Sequence, residues 1–496
     1  MAYRLTKTAY LNFLKCPQEF WLEYHEPLLV AEPITLEHEH LRQQGYAVEN
    51  LVRKLARFQP SDDHAVDFQR IFQTADLAAR SDVVVTDTAT GEIDIYEIKS
   101  TNSVKDEHYD DVAFQKVAAE RMGARVRNTY IITMNGEYVR AGSIDVEQLF
   151  TVTDVTAETN ARLADTEDRI QMAFDYLTTV PEPSLAEYCF DKKLDCRFLK
   201  LHFQGLPDYT VFDITFLKHD KRRDLLNRGI IDIRDVPDDF PLSPKQRSQV
   251  DVARSGATII DHEAIARRMD AWEYPLQFLD YETFAYAIPQ FDGVRPFQQM
   301  VFQYSLHTID RPGALVSHSE YLSHGDDNPP RPVAEHLRDA MPDIGTVFVW
   351  YEAFEKGRND EMAAMFPDLA DFFAAVNAKT VDLMKIFSDS LYIHPDFKGR
   401  TSIKKVMPVL VPSLSYDDLG ISGGLTATIK WFRAATWRNM NDTERQQTFN
   451  DLREYCTLDT LAMVEIYNAL KSLRRNADER VFVANGDQPI KPRVKP

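Results

Sequence analysis

Asp82, Glu97 and Lys99 have residue types and a spacing that suit a metal centre. Glu97 and Lys99 lie two residues apart in the apolar segment IYEIKS, so both face the same side of a predicted strand. A turn around Gly91 can bring Asp82, at the start of the apolar segment DVVV, alongside them. Two carboxylates can hold Mg²⁺, and a lysine beside them can orient water or stabilise charge. Glu-x-Lys alone is common on exposed strands, but the strands, the turn and the next helix all agree here.

A second group of acids lies in the other half of the chain. Asp280 and Glu282 are two residues apart in FLDYETF, and they also face one side of a predicted strand. Glu355 begins a predicted helix after the buried strand GTVFVW. Tyr455 and Asp459, in EYCTLDT, are four residues apart and therefore share one face of a helix. Asp-x-Glu alone is a weak signal, so this site depends on the order of all three segments.

Basic residues follow the second group and provide candidate contacts to nucleic acid. Cations can contact phosphates, and aromatic rings can stack on bases. A solvated basic surface explains the same residues nearly as well. The nearest are Lys398, Arg400, Lys404 and Lys405, and farther along come Lys430, Arg433 and Arg438 beside Trp431 and Trp437.

The predicted elements that position these residues form two α/β patterns. Residues 1–60 have apolar positions at helical spacing; two strands, a helix over about 111–122, a strand NTYIITM and a long helix over about 157–179 follow. Residues 205–275 contain short helical pieces broken by prolines, and NRGIIDIRDVPDD weakly resembles a helix-hairpin-helix turn. The segment PLQFLDYETF begins the second α/β pattern.

The composition is that of a multi-domain globular protein. The 496 residues predict two or three domains. No apolar run is long enough to span a membrane and the N-terminus lacks the features of a signal peptide, so we expect a cytoplasmic location. The net charge of −20 argues against a protein that coats nucleic acid, but a local basic groove is enough for a nuclease.

The first group resembles the PD-(D/E)xK nuclease superfamily, particularly its RecB-like branch and the related CRISPR-associated exonucleases. The resemblance covers about residues 1–205 and includes the opening KCPQEFWLEY, which is similar to a CP-x-x-F/Y element. It implies two further site residues. Glu49, in GYAVENLVRKL, is the candidate ligand from a preceding helix, although an ordinary solvated glutamate is the alternative. Gln115, in DVAFQKVA, matches the glutamine that usually follows the motif strand.

Some relatives of this branch carry an iron–sulfur cluster, with one cysteine near the start and three after the nuclease core. Cys16, Cys189 and Cys196 have matching positions, but the fourth cysteine is missing and only His202 is nearby. A complete cluster needs four ligands, so three free thiols are the alternative. Cys456, in the other half of the chain, is predicted to lie in the core.

The second group resembles DnaQ-like (DEDD) 3′–5′ exonucleases of the ribonuclease H-like fold. Asp-x-Glu matches their first motif, and Tyr455 and Asp459 match the Tyr-x-x-x-Asp motif of the tyrosine subtype. The second motif is Asn-x-x-Phe-Asp, where this chain has 351–355 with Glu355 in place of aspartate; Asp382 is the alternative fourth acid. The resemblance implies that four acids hold two metal ions, one for the attacking water and one for the leaving oxygen, and that Tyr455 orients the water.

The whole order resembles an uncharacterised bacterial family that joins a RecB-like nuclease to a DnaQ-like domain. The expected fold is a restriction-endonuclease-like α/β core over 1–204, a helical linker over 205–273, a ribonuclease H-like α/β domain over 274–475 and a tail over 476–496. The expected function is hydrolysis of phosphodiester bonds, most readily in DNA, with Mg²⁺ or Mn²⁺, in repair or defence against phage. The alternatives are one active nuclease domain with the other binding nucleic acid, or a scaffold that has lost both reactions.

Overall fold

The structure is a computed structural model that describes residues 3–31, 33–179, 205–325, 328–417, 419–421, 423–436 and 440–484, with the backbone alone for 474–484. Its contacts divide the chain into two compact units. Unit 1 comprises residues 1–204 and 285–298, and unit 2 comprises residues 205–284 and 299–496. Both units combine helices with a mixed sheet, which confirms the α/β class.

Unit 1 contains a six-stranded mixed sheet. Strand β3 lies beside β1 and β4 on one side and beside β2 on the other, and the sheet continues through β5 to β6. The pairs β1–β3 and β4–β5 are parallel, and the remaining pairs are antiparallel. The strands are β1 (Leu5–Thr6), β2 (His64–Gln73), β3 (Leu77–Asp87), β4 (Ile93–Ile98), β5 (Val126–Met134) and β6 (Phe150–Asp154).

Helices cover both faces of this sheet. One core joins strand residues Ile93 and Ile95 to Phe114 of α5, and the other joins Tyr96 and Ile132 to α4 and the segment 285–298. The described helices of this unit are α1 (Lys7–Lys15), α2 (Pro17–His25), α3 (Pro27–Val30), α4 (Leu36–Val52), α5 (Asp106–Arg121), α6 (Val146–Leu149) and α7 (Thr156–Thr179).

Unit 2 contains a five-stranded mixed sheet in the order β10–β9–β8–β11–β12. Strand β8 is central: it is antiparallel to β9 and parallel to β11. Seven of its nine residues are buried, which fits a strand that is covered on both faces. The strands are β7 (Ile259–Ile260), β8 (Leu276–Phe284), β9 (Met300–Ile309), β10 (Ser317–Leu322), β11 (Thr346–Val349), β12 (Thr380–Asp382) and β13 (Tyr392–Ile393), of which β7 and β13 form a separate pair.

Two cores lie on the two faces of the unit 2 sheet. Leu276 and Phe278 point to one core, and Leu279 and Tyr281 point to the other. The described helices are α8 (His219–Asn227), α9 (Pro244–Ser255), α10 (His262–Asp270), α11 (Pro330–Ala340), α12 (Glu352–Met365), α13 (Ala370–Lys379), α14 (Lys385–Ser388), α15 (Ile403–Leu410), α16 (Gly424–Thr436) and α17 (Asp442–Ala484).

Three segment boundaries differ from the expected ones. Residues 205–273 belong to unit 2 by their contacts, so they do not form a separate linker, and they contain the short strand β7. The segment 285–298 belongs to unit 1, although both strands that it connects lie in unit 2. Helix α17 continues to Ala484, beyond the expected start of the tail at 476. Among the described residues, no helix is both long and apolar enough to cross a membrane.

Candidate functional site

Asp280 and Glu282 lie on the central strand of unit 2. Residues of β8 alternate between the two cores, so both acids share the face of Leu276 and Phe278. Asp280 is paired in register with Ser305 and Glu282 with Gln303 on β9. Glu282 is 7% exposed. A charged pair in the middle of a sheet covered on both faces is costly, so its presence points to a function.

Glu355 and Asp459 reach the same region from two helices. Glu355 lies in the first turn of α12, which begins directly after Tyr351 in a left-handed conformation with φ 87°. Its side chain is buried at 2% exposure, and Asp459 on α17 is 8% exposed. The negative charges of Asp280, Glu282 and Asp459 all act on the carboxylate of Glu355. Strand β8 and helices α12 and α17 therefore bring four acids together.

Burial raises the pKa values of all four carboxyls, and repulsion from neighbouring acids adds to the shift in Asp280, Glu282 and Glu355. Burial followed by repulsion from Asp459 holds the pKa of Asp280 well above its usual value. The pKa of Glu282 is raised in the same way by burial, then by Asp280 and Asp459. Burial raises the pKa of Asp459 to about 6, although hydrogen bonding from Tyr416 and the charge of Lys404 oppose this shift. Such values mark negative charge that the protein leaves largely uncompensated.

Two of these carboxylates have few hydrogen-bond donors from the protein. Oε2 of Glu355 is buried and has no hydrogen-bond partner among the described residues. Sγ of Cys456 lies 3.8 Å from Oδ2 of Asp280, and ligand atoms of Asp280, Glu282 and Cys456 lie within 4.8 Å of one another. Cys456 was expected to be a core residue; it is fully buried, but it also borders the acids.

Two tyrosines and a lysine border the four acids. Oη of Tyr416 donates a hydrogen bond of 2.5 Å to Oδ1 of Asp459. Nζ of Lys404 lies 5.0 Å from the ring centroid of Tyr416 and 4.9 Å from that of Tyr455. The pKa of Tyr455 is raised by burial and then by the acids Asp459, Glu282 and Asp280. Lys404 is therefore the one residue of the expected phosphate-binding set whose charge acts on these acids.

Asp382, the alternative fourth acid, has a structural role. Its carboxylate accepts hydrogen bonds from the backbone N–H groups of Tyr351, Glu352 and Met384, at 3.0–3.2 Å. These bonds fix the chain at the start of α12. Because its oxygens are already used by the backbone, Glu355 is the better fourth acid.

Several other residues that were predicted to contact nucleic acid have partners within the protein. Lys398 forms an ion pair of 2.6 Å with Asp208, and Lys430 donates to the carbonyl oxygen of Gly420 at 2.5 Å. Trp431 is 1% exposed and stacks against Phe302 in the core, so the suggestion that it stacks on bases is wrong. The phosphate contacts expected of Arg400, Lys405 and Arg433 stay a prediction, and Trp437 and Arg438 lie outside the described residues.

The first predicted group also comes together, within unit 1. Glu97 shares a face of β4 with Ile93 and Ile95, beneath α5. Nζ of Lys99 is 2.9 Å from Oε1 of Glu97, and Nε2 of Gln115 donates to Oε2 of Glu97 at 2.7 Å. Gln115 therefore lies where the resemblance implies, next to the motif strand.

Two residues that the sequence analysis did not include complete this centre. Asp111 accepts a hydrogen bond from Lys99 at 2.5 Å and one from Gln115 at 2.9 Å. Lys7 bridges the two carboxylates, with its Nζ 2.9 Å from Oε1 of Glu97 and 3.1 Å from Oδ1 of Asp111. A signal for Asp111 was present, because it precedes Gln115 by four residues and so shares its helix face. Lys7 carried no such signal.

Asp82 and Glu49, which were expected to be metal ligands, have hydrogen-bond or ion-pair partners within the protein. Asp82 accepts hydrogen bonds from the backbone N–H of Ile98 at 2.8 Å and from Nε2 of Gln69 at 3.1 Å. Asp82 contributes negative charge that acts on Glu97. Glu49, whose side chain is 17% exposed, pairs with Arg53 one helical turn away at 2.5 Å, and its expected role as a ligand stays a prediction.

Burial and charge set opposite pKa shifts in this centre. Burial, Asp111 and Asp82 raise the pKa of Glu97 to about 7. Burial also raises the pKa of Asp111, but Lys7 and Lys99 outweigh it and hold the value at about 2. Burial lowers the pKa of Lys99, but Glu97 and Asp111 outweigh it and raise the value above its usual range. The acids and lysines thus stabilise each other's charges.

The proposed cluster ligands are described only in part. Cys16 is a buried free thiol between α1 and α2. Cys189, Cys196 and His202 lie outside the described residues, so the iron–sulfur cluster stays a prediction.

Comparison with known proteins adds a family similarity in unit 2. Residues 277–402 are similar to a domain of unknown function, DUF2779. An uncharacterized protein of Ureaplasma parvum is 28% identical over 231 residues, which are 40% of this chain and 31% of that protein. An uncharacterized protein of Mycoplasma pneumoniae is 28% identical over 219 residues, which are 40% of this chain and 32% of that protein. The chain thus spans about a third of the length of these relatives, and the DUF2779 segment contains Asp280, Glu282 and Glu355.

Proposed function

We propose that the protein is a metal-dependent nuclease whose active centre lies in unit 2. Asp280, Glu282, Glu355 and Asp459 would hold the divalent cations, Mg²⁺ or Mn²⁺. The observation that carries this proposal is the convergence of four carboxylates, three of them buried and Asp280 half-buried, with raised pKa values and little compensation from the protein. The DnaQ-like resemblance and its ribonuclease H-like fold agree with this centre, because three of its motifs supply these residues.

The donor set fits a hard divalent cation. Carboxylate oxygens are the ligands that Mg²⁺ and Mn²⁺ prefer, and four such acids without a cation repel one another. Oε2 of Glu355 is buried without a partner among the described residues, as a ligand atom would be before its cation binds. A cation at this position would offset repulsion that the protein itself leaves in place.

Divalent cations in such a centre supply Lewis acidity and a water of lowered pKa. The residues of the chain orient the reacting groups around them. Tyr416 fixes the carboxylate of Asp459 through its 2.5 Å hydrogen bond. The hydroxyl of Tyr455, one helical turn before Asp459, can orient an attacking water, as the resemblance implies. Lys404 provides a positive charge next to the acids for a phosphate group of the substrate.

The substrate class that fits is a single strand of nucleic acid, most readily DNA, with a free 3′ end. The net charge of −20 makes broad attraction to nucleic acid weak, so binding must come from local cations such as Lys404. Glu282, Glu355 and Asp459 are buried, and a flexible single strand reaches such a centre more easily than a duplex does.

Unit 1 has a second candidate function as a nucleic-acid-binding module without a cutting site. The observation that favours it is the pairing of Lys7 and Lys99 with the acids of its centre. This is the alternative in which one domain of the chain is an active nuclease and the other is not.

A digestion assay with the full-length chain tests the proposal. End-labelled single-stranded DNA, duplex DNA and RNA would be incubated with Mg²⁺, Mn²⁺ or a chelator. We expect metal-dependent shortening from the 3′ end, abolished by Asp280→Asn and by Asp459→Asn. Glu454→Gln is the matched control, because Glu454 is an exposed acid on the same helix as Asp459.

Two results would overturn the proposal. One is the absence of cleavage with every substrate and cation. The other is cleavage that persists at the wild-type rate in both Asp280→Asn and Asp459→Asn. Cleavage lost only in Glu97→Gln would place the active centre in unit 1 instead.

A further inference from the structure

Every carboxylate oxygen of the unit 1 centre already has a donor. Oε1 of Glu97 faces Lys7 and Lys99, and Oε2 faces Gln115. Oδ1 of Asp111 faces Gln115 and Lys7, and Oδ2 faces Lys99. The two oxygens of Asp82 are likewise held, by a backbone amide and by Gln69. A divalent cation would have to share these oxygens with donors that already hold them, and it would approach Glu97 beside two ammonium groups.

The fold fixes Lys7 at this position. Thr6 and Leu5 form β1, which pairs in parallel with β3. The hydroxyl of Thr6 then accepts a hydrogen bond from the N–H of Ala9 at 3.1 Å and caps α1, so Lys7 is the first helical residue. Its side chain is only 19% exposed. The ammonium group is therefore held between Glu97 and Asp111 by the start of a capped helix, and it is not a mobile surface lysine.

The charges of the centre nearly balance without a metal ion, because the three carboxylates of Asp82, Glu97 and Asp111 lie beside the two ammonium groups of Lys7 and Lys99. Two carboxylates, Glu97 and Asp111, face two ammonium groups, Lys7 and Lys99, at 2.5–3.1 Å. The PD-(D/E)xK resemblance accounts for one lysine, Lys99, but not for Lys7. A divalent cation beside two fixed ammonium groups meets strong repulsion at such short distances. Protonation of Glu97 would make the centre more positive and still less favourable for a cation.

We infer that Lys7 is a built-in counter-ion that closes the unit 1 centre to divalent cations. Its ammonium group is paired with Glu97, one of the two acids that the resemblance implies as metal ligands, and with the neighbouring Asp111. The residues present therefore do not fit that metal, and unit 1 contributes no metal-dependent cleavage. This inference goes beyond the proposed function, which concerns unit 2.

Mn²⁺ binding to the full-length chain tests this inference without any activity measurement. The Asp280→Asn, Asp459→Asn double variant is the background, because it removes two of the four candidate metal ligands of unit 2. Free Mn²⁺ would be titrated by electron paramagnetic resonance. We expect no strong site in this background, and a gain in affinity of at least roughly tenfold when Lys7→Met is added, because an adjacent positive charge is removed. The gained site should disappear when Glu97→Gln is added as well.

Two matched controls accompany the titration. Lys15→Met removes an exposed lysine from the same helix, and Lys7→Arg keeps the positive charge. Neither should create a Mn²⁺ site. Mn²⁺ should also raise the melting temperature of the Lys7→Met variant but not that of its background, because a ligand stabilises only the state that binds it.

The inference fails if the background with Lys7 intact binds Mn²⁺ at a site that Glu97→Gln removes. This measurement does not require the Lys7→Met variant to fold. Unchanged affinity in a folded Lys7→Met variant would overturn the inference as well. Both results are independent of unit 2, so they can be distinguished from failure of the proposed nuclease centre, which the digestion assay measures.

Discussion

Oη of Tyr416 donates a 2.5 Å hydrogen bond to Oδ1 of Asp459, across 43 positions of the chain. Tyr416 follows α15 in a loop, whereas Asp459 lies on α17 near the centre of a buried helix face. The bond favours the ionised form of Asp459 and fixes one of its oxygens. Two tyrosines thus border the acids. Tyr416 is hydrogen-bonded to Asp459, whereas Tyr455 lies one turn before it on the same helix.

The two tyrosines should respond differently to removal of the hydroxyl group. Tyr416→Phe removes a hydrogen bond to a carboxylate, so we expect roughly tenfold weaker Mn²⁺ affinity in unit 2. Tyr455→Phe should leave Mn²⁺ affinity within a factor of about two and lower the cleavage rate at saturating metal. Mn²⁺ titration and single-turnover cleavage separate the two effects. The opposite pattern would exchange the roles assigned to Tyr416 and Tyr455.

Substitution of Asp382 should lower stability without changing metal binding, whereas substitution of Glu355 should weaken metal binding without lowering stability. Asp382→Asn weakens three hydrogen bonds from the backbone, so we expect the free energy of unfolding to fall by about 1–3 kcal/mol with Mn²⁺ affinity unchanged. Glu355→Gln removes a buried, repelled charge, so the metal-free protein should keep or gain stability while Mn²⁺ affinity falls.

Urea unfolding with and without Mn²⁺ measures both quantities in one experiment. A loss of Mn²⁺ binding in Asp382→Asn, with Glu355→Gln unaffected, would make Asp382 the fourth acid.

Local patterns in the sequence predicted the parts of the fold that depend on local order. The apolar strands around Glu97 and Asp280 and the helix that carries Asp459 appear where period and composition placed them. The acids that lie two or four residues apart were found for the same reason. Their side chains share a strand or helix face, and this relation is fixed within a single element.

Contacts between distant segments could not be predicted in this way. Lys7 reaches Glu97 only because the two-residue strand β1 pairs with β3, and a strand that short has no recognisable period. Tyr416 reaches Asp459 from a loop, where spacing carries no directional information. The membership of 285–298 in unit 1 likewise depends on tertiary packing alone. Trp431 was misjudged because a tryptophan beside basic residues has the same pattern on a surface and in a core.

The raised pKa of Asp459 predicts how stability changes with pH. A carboxyl whose pKa is higher in the folded than in the unfolded chain stabilises the fold below its unfolded pKa, and this contribution is lost as pH rises through the folded value. The pKa rises from 3.8 to about 6, so the wild type should lose up to about 3 kcal/mol relative to Asp459→Asn between about pH 4 and pH 7.

Thermal or urea unfolding of the two metal-free proteins across this pH range measures the difference. Saturating Mg²⁺ should reduce the loss in the wild type alone, since the cation offsets the charge that ionisation creates. A stability difference that stays constant from pH 4 to pH 7 would contradict the raised pKa that burial gives to Asp459.

Asp111 provides the opposite case in unit 1. Lys7 and Lys99 outweigh burial and hold the pKa of Asp111 at about 2, so its stabilising effect is complete above its ordinary value of 3.8 and is lost as pH falls through about 2. Asp111→Asn removes the carboxylate that pairs with both Lys7 and Lys99, whose side chains are 19% and 21% exposed, and we expect a loss of about 2 kcal/mol at pH 7. This difference should shrink below about pH 3.

Glu107→Gln on the same helix is the control, because that side chain is 73% exposed and its replacement should change stability by less than about 0.5 kcal/mol. Equal stability of Asp111→Asn and the wild type at pH 7 would show that the lysines do not depend on Asp111 for their charge balance.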